Sequence, residues 1–207
     1  ETPQINFILF FIKCLNYLEF KEHKMIHQKI SSIIQSRRSI YPSAFNGEMI
    51  EEDIIIQLLE NANHAPSHKM TQPWRFKIFG NDSKKKLLDE IIKKKEISEI
   101  KKKKLEVSFN KSSHIICICM KRNKDLLPEW EEIAATSMAV QNIWISCVDS
   151  NIGGYWSTPK YMNQLRTFLQ LHQDEICLGF FYLGMHDSKK ENTTRRGNLY
   201  EKIQWFR

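Results

Sequence analysis

The sequence lacks several of the patterns by which common classes of protein are recognised. It contains no GxGxxG turn and no P-loop, so a Rossmann-type dinucleotide site or a P-loop phosphate site is not expected. Glycine and proline are scarce, with 7 and 6 residues among 207, which is typical of an ordered globular chain. A chain of 24.6 kDa can bury one sizeable core, so we expect one domain, to which a short extension could be appended.

The cysteines do not form a metal-binding or disulfide pattern. There are five, an odd number, and none makes a CxxC pair or a Cys/His cluster with zinc spacing, so no metal site is predicted. Reduced, mostly buried thiols in a cytoplasmic protein are the simplest interpretation. Cys117 and Cys119 alternate with isoleucines in an apolar run, which predicts that both lie on one face of a strand.

No apolar run is long enough to cross a bilayer. Residues 5–13 are strongly apolar but too few, and they lack a basic start and a small-residue cleavage site. A signal peptide remains the alternative, but we favour an N-terminal extension over residues 1–25 that is helical and packs on the body or on a partner subunit. We therefore expect a cytoplasmic protein without a membrane partner.

Acidic residues are outnumbered, and the net charge of +7 raises the question of a nucleic-acid partner. Many of the lysines fall between Lys84 and Lys104, where they recur at roughly helical spacing beside leucines and isoleucines. This pattern favours an amphipathic helix with a solvated basic face over a nucleic-acid patch. We expect no nucleic acid among the partners.

Helical and strand patterns alternate along the rest of the chain. Helices are predicted over residues 26–36, 51–63, 84–104, 128–150 and 159–169, and strands over 75–79, 115–120 and 176–183, with residues 151–156 forming a turn into a short strand. This order predicts an α+β fold in which helices surround a small mixed sheet.

Two pairs of arginines could bind a phosphate group. Arg37 and Arg38 precede Ser39 at the predicted end of the first helix, where charge-assisted hydrogen bonds to a phosphate are possible. Paired arginines at a helix end also serve simply as caps, so both interpretations stay open. Arg195 and Arg196 offer a second pair with the same ambiguity.

Two other segments could contact a planar ligand. Residues 64–76 combine two histidines, a lysine and a glutamine between prolines, which could meet the polar edge of a heteroaromatic ring or form only a rigid surface turn. Gly153 and Gly154 could let the backbone approach such a ligand closely, or they could simply end the preceding helix.

Together, these segments resemble the FMN-dependent nitroreductase family in order and spacing, from about residue 26 to 206. Arg37-Arg38-Ser39 resembles the family's RRS opening, and residues 65–76 are similar to its APSxxNxQPWxF segment. Residues 129–132 and the helix after them, then Gly153-Gly154-Tyr155-Trp156, are similar to the small single-domain branch, which carries GGIWRS there. Residues 178–184 resemble its late strand, and the arginine pair with the aromatic tail resembles its closing segment.

The resemblance implies a fold and a quaternary structure. Residues 26–207 would form a nitroreductase-like domain with a mainly antiparallel sheet, in an intertwined homodimer that holds two FMN molecules at its interface. The residues implied to bind FMN are Arg37, Arg38, Ser39, His64, His68, Gln72, Gly153, Gly154, Trp156, Ser157, Thr158 and one or both of Arg195 and Arg196. His64 and His68 would come from the partner chain. Ser157 and Met70 depart from the family pattern, which has Arg and Asn there.

The resemblance also implies an activity. The chain would use NADH or NADPH to reduce nitroaromatics, quinones or similar small planar acceptors by ping-pong hydride transfer through FMN. No side chain is expected to act as a nucleophile, and His68 and Lys69 would give electrostatic support. The alternatives are a flavin-binding protein without turnover and a related enzyme with another flavin task, such as enone reduction or dehalogenation.

Overall fold

The computed structural model describes residues 27–94, 97–187 and 196–207. Residues 1–36 and 37–207 form two separate units, and the first is described only through helix α1, Gln28–Ser36. This helix confirms the one predicted over residues 26–36 and ends directly before Arg37. The predicted helical extension over residues 1–25 and the site residue Arg195 lie outside the described residues.

The second unit contains four helices and four strands among the residues that the structure describes. The helices are α2 (Glu52–Asn63), α3 (Asn81–Ile92), α4 (Glu99–Lys111) and α5 (Glu129–Ser146), and the strands are β1 (Trp74–Phe79), β2 (His114–Lys121), β3 (Ile152–Ser157) and β4 (Glu175–Met185). The strands form one sheet in the order β1-β2-β4-β3, and every pair is antiparallel. The α+β fold with a mainly antiparallel sheet is therefore confirmed. None of the described helices is both long and apolar enough to span a membrane.

The sheet has a hydrophobic core on each face because successive side chains of its central strands point to opposite faces. Cys117 and Cys119 of β2 lie on the face covered by α3 and α4, as predicted. Ile116 and Ile118 lie on the other face, which packs against α2 and α5. The second unit is thus a three-layer sandwich, and the continuous apolar sequence of β2 is explained by burial on both sides.

The start of α5 is fastened to the chain after β2 by a buried carboxylate. Glu132 has an exposed fraction of 0%, and its carboxylate accepts hydrogen bonds from Arg122 Nη1 at 2.5 Å and from Asn123 N and Nδ2 at 2.9 Å. The ion pair and the backbone hydrogen bond together fix the loop against the first turn of the helix. The sequence analysis had not identified this contact.

Two predicted helices differ in the structure. The lysine-rich stretch does not form one helix but falls on α3 and α4, and Ser98 caps the second by accepting a hydrogen bond from Lys101 N. Residues 159–169 hold no α-helix but only a short 3-10 turn at Met162–Leu165. The helical spacing of Met162, Leu165 and Leu169 reflects turns that pack these side chains into the core.

Candidate functional site

Three arginines lie together where the second unit begins. The pKa of Arg37 is lowered by burial and by the charges of Arg196 and Arg38, so both of these guanidinium groups are close enough to that of Arg37 to repel it. Arg37 Nη1 is buried without a hydrogen-bond partner among the described residues. Such a cluster is electrostatically unfavourable alone and would be stabilised by an anion.

Contacts with α5 and β3 fix the position of Arg37. Its guanidinium group lies 4.7 Å from the centre of the Trp144 ring, and Trp144 Nε1 donates to the carbonyl oxygen of Gly154 at 3.0 Å. The same oxygen accepts from Ile40 N, also at 3.0 Å. One carbonyl of β3 therefore joins the chain after Arg37 to the end of α5.

The two glycines of β3 are needed for packing, which neither sequence interpretation had anticipated. They lie inside the strand and not in a turn before it. A Cβ at Gly153 would lie 2.7 Å from Ile40 Cβ, and a Cβ at Gly154 would lie 2.3 Å from the Phe181 ring. The short strand predicted within residues 151–156 is present, and the alternative that the two glycines only end the preceding helix is wrong, because β3 already begins at Ile152.

The other predicted residues near β3 differ in their surroundings. Ser39 and Thr158 are exposed. Trp156 is half-buried, and its Nε1 has no hydrogen-bond partner among the described residues. Its indole packs on Gly179, where an added Cβ would lie 2.5 Å from that nitrogen and where φ is +149°. Gly179 lies at an irregularity in the pairing of β2 with β4, so the close approach of Trp156 depends on a bulge.

Ser157 borders a cleft of about 680 Å³ on the face of the sheet that α3 and α4 cover. Its aromatic wall consists of Tyr41, Tyr155 and Tyr182, with ring centres 4.6 Å apart for the first two and 6.3 Å for the last two. The opposite side is part of α4. The volume lies within the range of small-molecule sites. The tyrosines were not among the site residues predicted from the sequence, although Tyr41 follows Arg38 by only three positions.

The loop from His64 to Trp74 forms a second group, held in a strained conformation. Lys69, Met70 and Gln72 have φ values of 51°, 53° and 41°, which non-glycine residues seldom adopt. Side-chain contacts secure the loop: Gln72 N donates to Ser67 Oγ at 3.1 Å, and His68 Nδ1 lies 2.6 Å from the carboxylate of Glu131. Strain that is maintained in this way is typical of functional sites.

The two groups are far apart within one chain. Arg37 contacts α5 at Trp144, whereas His68 contacts it at Glu131. Thirteen residues of helix separate these positions along the chain, which corresponds to about 20 Å. His64 is exposed and is the C-terminal cap of α2, so it lies at the start of the loop. The structure therefore brings Arg37, Arg38 and Arg196 together, and links Arg37 to β3 through Trp144, but it does not bring them to the loop of the same chain.

Comparison with known proteins identifies the family. The model of the nitroreductase family matches residues 34–185, which include Arg37 and Arg38, the loop, β3 and all of β4. The chain belongs to the nitroreductase family. Members of this family are oxidoreductases, and the recognition made from the sequence is thereby confirmed.

Individual members of the nitroreductase family and structures with its fold cover most of the chain. YfhC of Bacillus subtilis, named as an NAD(P)H nitroreductase, is 25% identical over 173 residues, 80% of this chain and 88% of YfhC. A nitroreductase-like protein from Bacillus cereus has a TM-score of 0.76 at 24% identity, with 88% of this chain and 98% of that chain covered. A nitroreductase from Desulfovibrio desulfuricans, solved in complex with FMN, has a TM-score of 0.68 at 20% identity, with 88% and 99% covered.

Proposed function

We propose that this protein is a homodimeric, FMN-dependent oxidoreductase that uses NADH or NADPH to reduce small planar acceptors such as nitroaromatics and quinones. Its membership of the nitroreductase family supports the reaction class. The name of YfhC supports a nicotinamide donor, and the FMN complex of the Desulfovibrio protein supports the cofactor.

The observation that carries the proposal is the arginine cluster. The charges of Arg38 and Arg196 both act on Arg37, and its Nη1 is buried without a hydrogen-bond partner among the described residues. The phosphate of FMN would satisfy that nitrogen and offset the repulsion that Arg37 experiences from the other two positive charges, so the residues fit the group. Arg37, Arg38 and Arg196 would hold the phosphate, with the exposed hydroxyl of Ser39 beside them.

The cleft between Tyr41, Tyr155 and Ser157 is suited to the ring system of the same cofactor. Its aromatic wall is linked to the arginine cluster through a short stretch of chain, because Ile40 is hydrogen-bonded to β3 immediately before Tyr41. Planar aromatic groups stack favourably on tyrosine rings. When bound, FMN would supply the capacity to take up a hydride from the nicotinamide and pass it to the acceptor.

The loop around His68 would complete the site from the partner subunit. The loop of the same chain lies about 20 Å along α5 from the arginine cluster, so it is badly placed to serve it. His68 is oriented by Glu131, whose carboxylate accepts from Nδ1 and leaves Nε2 directed elsewhere. We infer that His64, His68, Lys69 and Gln72 of each chain contact the cofactor held by the other.

Substitution of Arg37 tests the cofactor site. We expect Arg37→Gln to weaken FMN binding by about 1.5–3 kcal/mol, because it removes a charge-assisted phosphate contact; this corresponds to about a 10- to 150-fold higher Kd. Arg207→Gln is the matched control, since Arg207 is an exposed arginine near a tryptophan ring. The Kd is measured by titrating FMN into apoprotein and following the quenching of flavin fluorescence. Equal Kd values for the two variants would reject the assignment.

Subunit complementation tests whether the site is shared. One chain carries Arg37→Gln and the other His68→Glu, which places a second carboxylate against Glu131 and disrupts the loop. If each site combines the arginines of one chain with the loop of the other, the co-expressed heterodimer has one intact site and binds one FMN tightly. If both groups serve the same chain, neither site of the heterodimer binds FMN tightly.

A further inference from the structure

We propose that the acceptor of this enzyme is a planar aromatic anion, such as an aromatic carboxylate, and that lysines of α4 select it. The proposal rests on the proposed function, because it assigns the substrate class of the same site. It starts from a part of the cleft that neither the family resemblance nor the arginine cluster explains. This part is the face of α4 that lines the cleft opposite the tyrosines.

The lysines are directed at the cleft by helical geometry. Lys101, Lys104, Leu105 and Ser108 line it and are spaced at i, i+3, i+4 and i+7, so they form one stripe along α4. Lys103 and Val107 flank this stripe and also line the cleft. The lysine-rich sequence, interpreted above as a solvated face, thus places three cations at the border of a cavity.

The charge at this border is not neutralised within the cleft. Among the described residues that line it, none is acidic. Lys102, by contrast, does not line the cleft and forms an ion pair with Glu99 at 2.5 Å. Lys101 Nζ lies 5.4 Å from the centre of the Tyr161 ring, a cation–π contact and not an ion pair.

The two sides of the cleft would therefore act on the two ligands of the site. The tyrosines would hold the flavin ring, on which a planar acceptor can stack, and the lysines on the opposite side favour a negative charge at the edge of that acceptor. The three cations are exposed, so their attraction depends on salt and acts most strongly on small anions that enter the cleft. A neutral analogue of the same shape gains only the stacking contribution.

The test compares two ligands of almost identical shape, 4-nitrobenzoate and 4-nitrobenzamide. Their Kd values for the FMN-loaded protein are measured by calorimetry at low ionic strength. The variants are Lys101→Gln/Lys103→Gln/Lys104→Gln and a control with the same loss of charge, Lys85→Gln/Lys86→Gln/Lys93→Gln, which alters exposed lysines of the preceding helical region. Circular dichroism and flavin content are recorded for each variant, and Lys104→Gln alone is included as a milder change.

We expect the wild type and the control to bind the benzoate about tenfold more tightly than the amide, a difference that shrinks as salt is added. In the triple α4 variant the Kd values for the benzoate and the amide should become equal. In Lys104→Gln the ratio of the two Kd values should lie between those of the wild type and the triple variant. Equal Kd values in the wild type, or a preference retained in the α4 variant, would overturn the proposal while FMN binding and reduction stayed intact. Loss of FMN from the α4 variant would assign the lysines to the cofactor and would also overturn it. A wild type without FMN would instead reject the proposed function.

Discussion

Replacement of Glu132 by alanine should be among the most destabilising single changes in this chain. The substitution removes the carboxylate that accepts from Arg122 and from Asn123 N and Nδ2, and the Arg122 side chain is itself only 11% exposed. Removal of one member of a buried ion pair leaves the other charge uncompensated and costs about 3–5 kcal/mol. Each lost hydrogen bond adds to the cost, since the backbone N–H of Asn123 also loses its partner.

Urea unfolding followed by tryptophan fluorescence gives the magnitude, with the protein concentration fixed because a dimer is expected. Glu129→Ala is the control, since Glu129 is an exposed acidic residue in the same first turn of α5 and should change the unfolding free energy by less than about 0.5 kcal/mol. A double variant, Arg122→Leu/Glu132→Leu, should be less destabilised than Glu132→Ala because no buried charge remains. If Glu132→Ala and Glu129→Ala unfold at the same urea concentration, this reasoning fails.

Two further predictions concern packing and pH. Gly154→Ala places a Cβ 2.3 Å from the fully buried Phe181 ring and should lower the unfolding free energy by about 1–3 kcal/mol. The control is Gly197→Ala, whose Cβ meets only a lysine nitrogen at 3.7 Å and which should leave the urea midpoint nearly unchanged. Equal midpoints for the two variants would show that the Phe181 ring can move aside. The pKa of His114 is lowered by burial and by Lys84, with Glu52 opposing, so the folded protein binds the extra proton less well than the unfolded chain. Its stability contribution is therefore present above the unfolded pKa of about 6.5 and is lost as pH falls below it. Unfolding free energies measured between pH 7.5 and 5 should fall more steeply for the wild type than for His114→Asn, and equal slopes would contradict the pKa shift.

The sequence predicted those elements in which the apolar residues follow one clear helical or strand period. Helix α2 and strand β2 are examples, because their apolar residues follow the helical and strand periods and each packs against a continuous core. The division of the lysine-rich stretch into α3 and α4 was not predicted. Lysine is suited to any exposed helical position, so its spacing does not show where one helix ends and the next begins. The only local signal was Ser98, a residue type favoured at helix N-termini.

The candidate site was predictable where motif residues carry the charge, as at Arg37 and Arg38. It was not predictable where a residue is required because of its contact with another element of the fold. Gly153 and Gly154 are explained by Ile40 and Phe181, which are distant in sequence, so no local pattern distinguished a packing role from a turn. The role of α4 at the cleft was hidden for the same reason, since Tyr155 and Tyr182 reach it only through the folding of the sheet.

Native mass spectrometry of the purified protein tests the central claim most directly, because it reports the cofactor and the assembly together. We expect a species of two 24.6 kDa chains that carries two FMN molecules, and the same measurement on Arg37→Gln should show a dimer largely without them. A monomer that retains FMN would contradict the shared site. A wild-type protein without FMN after reconstitution with excess cofactor would contradict the assignment of the arginine cluster as a phosphate site.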